Sequence, residues 1–515
     1  MMNKAAAIII VILFCGGLSF AGDLNNLLER HRQALGSTEA ITGLKSMAMY
    51  GTVNYQGVPG RIVVLVRFPY EYNITTDLGV LQVMGCDGTL AWAVDANGLP
   101  RTVSAEEQKP IISELYFSSY SYLFDNRLPG DVFYRGDTII GGADYEILIL
   151  HPWGGDSLAL MINGRTGLID YRFDRITGLD MITSYSDYRD VAGLKLPFRS
   201  EATVVEHGLS ISSFCDSVLI NPELPDSLFL MPGTPPVDYD FGESSSVIIP
   251  IRQDLGHAFV EVMVNGAGPF SFLLDTGAGA SMLSDSLADL LGIDRFGRMP
   301  ARGIGGFDDA SFGRIDSIDL GQARFYGRRL ILFDFRSLKS TALSRLDGIL
   351  GYDFFSRLPM RLDFDRQELV LFSPGRLMPA IGGIPLELFY QIPVMEVSLD
   401  GQPIRVIFDL GAQGPLQLFP HARAYARYGS GYDTLTVETK LSGIGGTKTV
   451  RLALGERLQL GGQEIKRPEV SLLEPGTTSP LPDYIEGILG LDILAAFNWT
   501  VDFPGRRLYP EARSQ

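Results

Sequence analysis

Four landmarks occur twice, in the same order, in the second half of this 515-residue chain. An apolar strand pattern ends in an acid and a tight turn: Phe272-Leu273-Leu274-Asp275-Thr276-Gly277-Ala278, then Val406-Ile407-Phe408-Asp409-Leu410-Gly411-Ala412. A glycine-rich tip follows, Gly303-Ile304-Gly305-Gly306 and then Gly443-Ile444-Gly445-Gly446. Third is Gly348-Ile349-Leu350-Gly351, matched by Gly487-Ile488-Leu489-Gly490; last is Leu362-Asp363-Phe364, matched by Val501-Asp502-Phe503. The copies lie 134, 140, 139 and 139 residues apart. One Asp-Thr-Gly tripeptide is mostly a turn. Four landmarks that keep step to within about six residues describe one structural unit used twice.

These residues resemble the aspartic protease family, pepsin-like and retroviral, over roughly residues 248–510. The matching features are its Asp-Thr/Ser-Gly motif, its flap, and the apolar pair before glycine that supports the active-site loop. The glycine-rich tips are more similar to the retroviral flap than to the pepsin flap, which usually carries a tyrosine. The resemblance implies two β-rich lobes about a pseudo-twofold axis, with a cleft between them and an extended peptide or protein as substrate. It implies Asp275 and Asp409 as the catalytic pair and Thr276, Gly277, Ala278, Leu410, Gly411 and Ala412 as the active-site loops. Gly303 to Gly306 and Gly443 to Gly446 would be the flaps.

The chemistry suits those residue types. Hydrolysis by this route needs one carboxylate as base and one carboxylic acid as proton donor, sharing a water. Two close carboxyls cannot both ionise cheaply, so the pair holds one proton, and acidic to neutral pH suits it. Glycines permit backbone geometry and motion that a Cβ would block, which fits a flap. One departure stands out: Leu410 occupies the place where the family has threonine or serine, whose hydroxyls brace the two loops across the axis. The expectation is a loosened second carboxylate, a rate lower by roughly one to three orders of magnitude, and a second lobe drifting toward a structural or binding role. Pro415 also stands near the counterpart of Ser281. Alternatives are a cleft that binds peptides without cutting them, or a first lobe that pairs with its copy in another chain, so the protein would be a monomer or a homodimer.

Composition narrows the rest. A formal net charge of −17 argues against a nucleic-acid partner. Five histidines without His-Glu-x-x-His give no support for metal catalysis, so no metal and no cofactor are expected. No Gly-x-Ser-x-Gly elbow is present. Lys4, the apolar run Ala5 to Phe14 and the small residue Ala21 read as a signal peptide over residues 1–21, so the mature protein is expected outside the cytoplasm. Lipidation at Cys15 is the weaker reading, because bulky Phe14 precedes it. In an exported protein Cys86 and Cys215 could form a disulfide or remain separate thiols.

Residues 22–235 read as a helix over Asp23 to Gly36, with Leu24, Leu27, Leu28 and Leu35 on one side, followed by an antiparallel meander. Element order and the Tyr188-to-Pro197 segment resemble the half-barrel domains of periplasmic lipoprotein carriers. That resemblance implies a concave face able to hold a lipid or hydrophobic ligand; otherwise the helix fills the sheet. Residues 236–247, with Gly242 to Ser246 after Pro235-Pro236, read as an exposed linker. The fold class expected is therefore mainly β: an α+β curved antiparallel sheet with a helix, then tandem acid-protease lobes over 248–378 and 379–515.

Overall fold

The computed structural model describes residues 21–124, 126–176, 179–205, 209–303, 306–337, 346–373, 382–429, 434–443, 446–474 and 481–514. The expected signal segment and Cys15 lie outside them, as do Ile304, Gly305, Ile444 and Gly445. The chain divides into two compact units, residues 1–234 and 235–515.

The first unit is one thirteen-stranded antiparallel sheet with helices on it. Ser46–Tyr55 and Leu209–Ile220 pair in its middle, and the strands run outward to edges at Pro100–Thr102 and Gly130–Ile140. Those edge strands are consecutive in the sequence, so the segment between them must cross from one edge to the other. The helix Ala105–Ser118 lies in that crossover. It was not foreseen, because Pro110 sits within it. Its start is nonetheless specified by a capping box, Ser104 with Glu107, and Glu107 also holds the buried Arg101 guanidinium. The first helix, Ala21–Leu35, places Leu27 and Leu35 in the core, with Leu24 and Leu28 half-buried beside them. Cys86 and Cys215 are free, half-buried thiols.

In the second unit each lobe starts from the same hairpin. His257–Val264 pairs with Ala267–Leu274, and Ile392–Leu399 with Gln402–Phe408. The turns are Asn265-Gly266 and Asp400-Gly401, with φ of 50° and 78° in the first and 52° and 81° in the second. That left-handed pair is what Asn-Gly and Asp-Gly favour between antiparallel strands. The two lobes have sheets of nine and ten strands. A third, six-stranded sheet joins them through Met360–Asp363 and Phe497–Asp502, with Arg361 opposite Thr500. The fourth sequence landmark is therefore the seam between the lobes, where fully buried Trp499 meets Phe408 edge-on at 5.0 Å.

The expected linker is corrected at its core. Tyr239–Asp240 pairs with Phe325 and Arg324, Phe241 is buried, and Asp238 receives the buried Arg328 guanidinium at 2.6 Å. Ser246–Pro250 is a strand of the six-stranded sheet. The Gly, Ser and Pro clusters that suggested a linker flank residues with apolar surface to bury and a carboxylate to pair.

Candidate active site: the Asp275 and Asp409 loops

Each acid follows a buried strand clamped by a parallel neighbour. Leu274 pairs with Leu350 and Phe408 with Leu489, and the ladders run one bond further: Asp275 N–H donates to Leu350 O at 3.0 Å, Asp409 N–H to Leu489 O at 3.2 Å. Gly348-Ile349-Leu350 and Gly487-Ile488-Leu489 are those neighbours, which explains why the landmark accompanies the acid.

The turns then bring the acids together. A Cβ on Gly277 would lie 2.4 Å from Asp409 Oδ2, and one on Gly411 would lie 2.3 Å from Asp275 Cγ. Each carboxyl thus rests against the other loop's glycine, and no larger residue fits there. The Asp275 and Asp409 side chains are hydrogen-bonded to each other. Ala278 N–H donates to Asp275 Oδ1 at 2.9 Å, while Gly411 and Ala412 N–H donate to Asp409 Oδ1 at 2.9 and 3.1 Å. Gly277 N–H serves both acids.

Burial drives both acids up from the ordinary carboxylate range. Asp275 is pushed well above it, because the Asp409 charge and the bond to Asp409 add to the desolvation. For Asp409 the bond from Asp275 and three backbone N–H groups work against the burial. The pair therefore keeps one proton, donated from the Asp275 side, and its titration belongs to the pair.

Thr276 is fully buried, and its hydroxyl crosses the axis: Oγ1 donates to Phe408 O at 2.7 Å and accepts from Leu410 N–H at 3.0 Å. Leu410 is fully buried and returns no hydroxyl. The expectation of a loosened second loop is corrected here. Thr276 belongs to the first loop but holds the second, so the loop carrying Leu410 keeps its tie. The first loop loses its counterpart and is held from within its own lobe. Ser281 donates N–H and Oγ–H to the buried Asp353 carboxylate at 2.6 and 2.7 Å, and its Oγ accepts from Gly351 N–H at 2.9 Å.

The glycine-rich segments are the closing ends of two long hairpins. Gly303 faces Gly306 between Arg295–Gly303 and Gly306–Leu320, and Gly443 faces Gly446 between Thr434–Gly443 and Gly446–Leu454. Among the described residues, no cluster of three or more His, Cys, Asp or Glu could hold a metal ion. Sequence reasoning missed His257 and Gln413, which touch the second loop from outside the repeated landmarks.

Among solved structures, the chain is similar to a LolA superfamily protein from Nitrosomonas europaea at 12% identity, covering 42% of this chain and 98% of that one with a TM-score of 0.30. A DUF1329 family protein from Desulfovibrio piger matches at 11% identity over 40% of this chain and 96% of that one, TM-score 0.29. A retropepsin-like aspartic protease from Rickettsia conorii matches at 24% identity over 24% of this chain and 89% of that one, TM-score 0.18. No curated protein matches this chain. Two tandem regions, residues 260–354 and 395–493, match the Aspartyl protease family model, one in each lobe and each containing one acid of the pair.

Proposed function

We propose that the second unit is an aspartic-type endopeptidase whose acids come from one polypeptide. The observation that carries this reading is the reciprocal seating of Asp275 on Gly411 and Asp409 on Gly277, with a hydrogen bond between the acids. In the reaction, Asp409 takes a proton from a water held between the carboxyls as its oxygen attacks the peptide carbonyl. Asp275 gives its proton to the carbonyl oxygen. The tetrahedral diol collapses as the amide nitrogen is protonated and the C–N bond breaks. The glycine-rich hairpins would cover an extended substrate.

The test is cleavage of a peptide library between mildly acid and neutral pH, with Asp275→Asn and Asp409→Asn beside the parent. Both variants should lose at least about a thousandfold in kcat. Loss confined to Asp275→Asn would instead give a site made by two chains. A parent that binds peptides but cuts none would give the binding module. Export accompanies this reading. The apolar run before Ala21 supports it, and a mature protein that still begins at Met1 would end it. Among the described residues, no helix is long and apolar enough to cross a membrane.

A second reading concerns the first unit. Its sheet encloses a cavity of about 410 Å³ lined by Met47, Met49, Val64, Ile74, Met181 and Phe198 among others, room for an apolar ligand. Lipid extracted from the purified full chain, and lost from Ile74→Trp, would support it. A cavity that releases nothing and takes up no fluorescent fatty acid would end it.

A further inference from the structure

The second loop has another neighbour from the first lobe. Arg252–Asp254 and His257–Val264 are joined by Leu255-Gly256, with φ of 49° and 75°. This turn lies against the second loop: Gln413 Nε2 donates to Leu255 O at 3.1 Å, and a Cβ on Gly256 would meet Gln413 Cγ at 2.9 Å. Directly after it comes His257, 4% exposed, with its ring facing the Gly411 backbone carbonyl. Its Nδ1 is sealed from solvent and has no hydrogen-bond partner among the described residues.

The Gly411 carbonyl and the Ala412 N–H are two ends of one planar peptide unit. Ala412 N–H donates to Asp409 Oδ1 at 3.1 Å. A ring N–H on the carbonyl side therefore polarises and orients the amide that holds the carboxylate on the other side. The matched position in the second lobe, after the turn Tyr390-Gln391, is Ile392. That turn lies against Gly279 of the first loop, but an aliphatic side chain follows it. Shape alone is thus satisfied by isoleucine, whereas imidazole brings a desolvation cost that calls for a polar purpose.

We propose that His257 is a positioning residue for Asp409, acting through the Gly411–Ala412 peptide from the opposite lobe. The charged groups around it are Asp492, which favours a protonated ring, Asp254 across the ladder, ion-paired with Arg252, and Asp409 beyond the peptide. Burial outweighs Asp492 and depresses the imidazole below its usual range, so the ring is neutral through most of the working pH.

The kinetic arm rests on the peptidase reading; the titration arm does not. In full-length protein with ¹³C-labelled aspartate carboxyls, Asp409→Asn assigns the Asp409 resonance. His257→Leu should then raise the lower apparent pKa of the pair by about one unit, because the carboxylate loses part of its support. The same variant should lower kcat roughly tenfold to a hundredfold, with KM nearly unchanged. His257→Gln, which keeps an N–H donor, should recover most of both effects. Unchanged titration in His257→Leu overturns the proposal, as does a glutamine variant that falls as far as leucine in both measurements. A parent that titrates as described but cleaves nothing defeats the peptidase reading and leaves the His257 result to stand.

Discussion

The two acid-bearing loops share a backbone plan and are secured by opposite means. In the first, Ser281 ties the loop to Asp353 and Gly351 of its own lobe. In the second, Pro415 stands at the serine's place and offers only its carbonyl, which takes Gly490 N–H at 3.2 Å; Asp492, at the place of Asp353, is exposed. The second loop is tied from the other lobe instead, by Thr276 and by the Leu255 carbonyl. A duplicated site need not keep both copies of a brace. One copy can be secured internally and the other by its partner, provided each loop keeps enough ties to fix its carboxylate.

The largest effect on this contrast is expected from Thr276→Val, which preserves volume and removes the one hydroxyl that crosses the axis. Phe408 O and Leu410 N–H would be left buried without partners, at about 1–3 kcal/mol each. Denaturant unfolding should show a loss of roughly 2–5 kcal/mol, with cleavage falling further than stability explains. A loss below about 0.5 kcal/mol would mean that the second loop does not depend on the first.

The next test compares matched positions. Ser281→Ala takes an acceptor from Gly351 N–H and a donor from Asp353, so a loss of about 1–3 kcal/mol is expected. Pro415→Ser, its counterpart, removes no hydrogen bond and should change stability by less than about 1 kcal/mol. Equal losses at the two positions would erase the distinction between an internally and an externally braced loop.

Much of this was legible in the chain because close packing leaves few residue choices. Gly277 and Gly411 touch opposing carboxyls, so glycine is forced, and the acids must end buried strands, so apolar runs precede them. The direction of the Thr276 tie was not legible: a missing hydroxyl at Leu410 suggests a loose second loop until coordinates show which loop each hydroxyl reaches. His257 lies outside every repeated landmark, and its importance depends on a turn that meets the other lobe. Pro110 concealed a helix whose Ser104-x-x-Glu107 cap was nonetheless readable. Tyr239 and Phe241 sat among linker-like residues, and only the packing distinguishes them from a spacer.

The smallest and most selective test is titration of each acid alone. In Asp275→Asn the remaining Asp409 keeps donors from Gly411, Ala412 and Gly277; in Asp409→Asn the remaining Asp275 keeps those from Ala278 and Gly277. With like-charge repulsion gone from both variants, burial raises each acid and the extra amide favours the Asp409 anion, so Asp409 alone should titrate below Asp275 alone. Stability must follow with a definite sign. A carboxyl whose folded pKa is raised binds more protons folded than unfolded, so its contribution is full below the unfolded value and is lost as pH rises through the folded one. The loss is about 1.4 kcal/mol per pH unit in that window. Parent protein should therefore lose stability between acid and neutral pH relative to either variant, and Asp409→Asn, which keeps the more strongly raised acid, should lose more than Asp275→Asn. The reverse order would place the better-supported carboxylate in the first lobe, and the cross-lobe ties would then secure the loop without serving its acid.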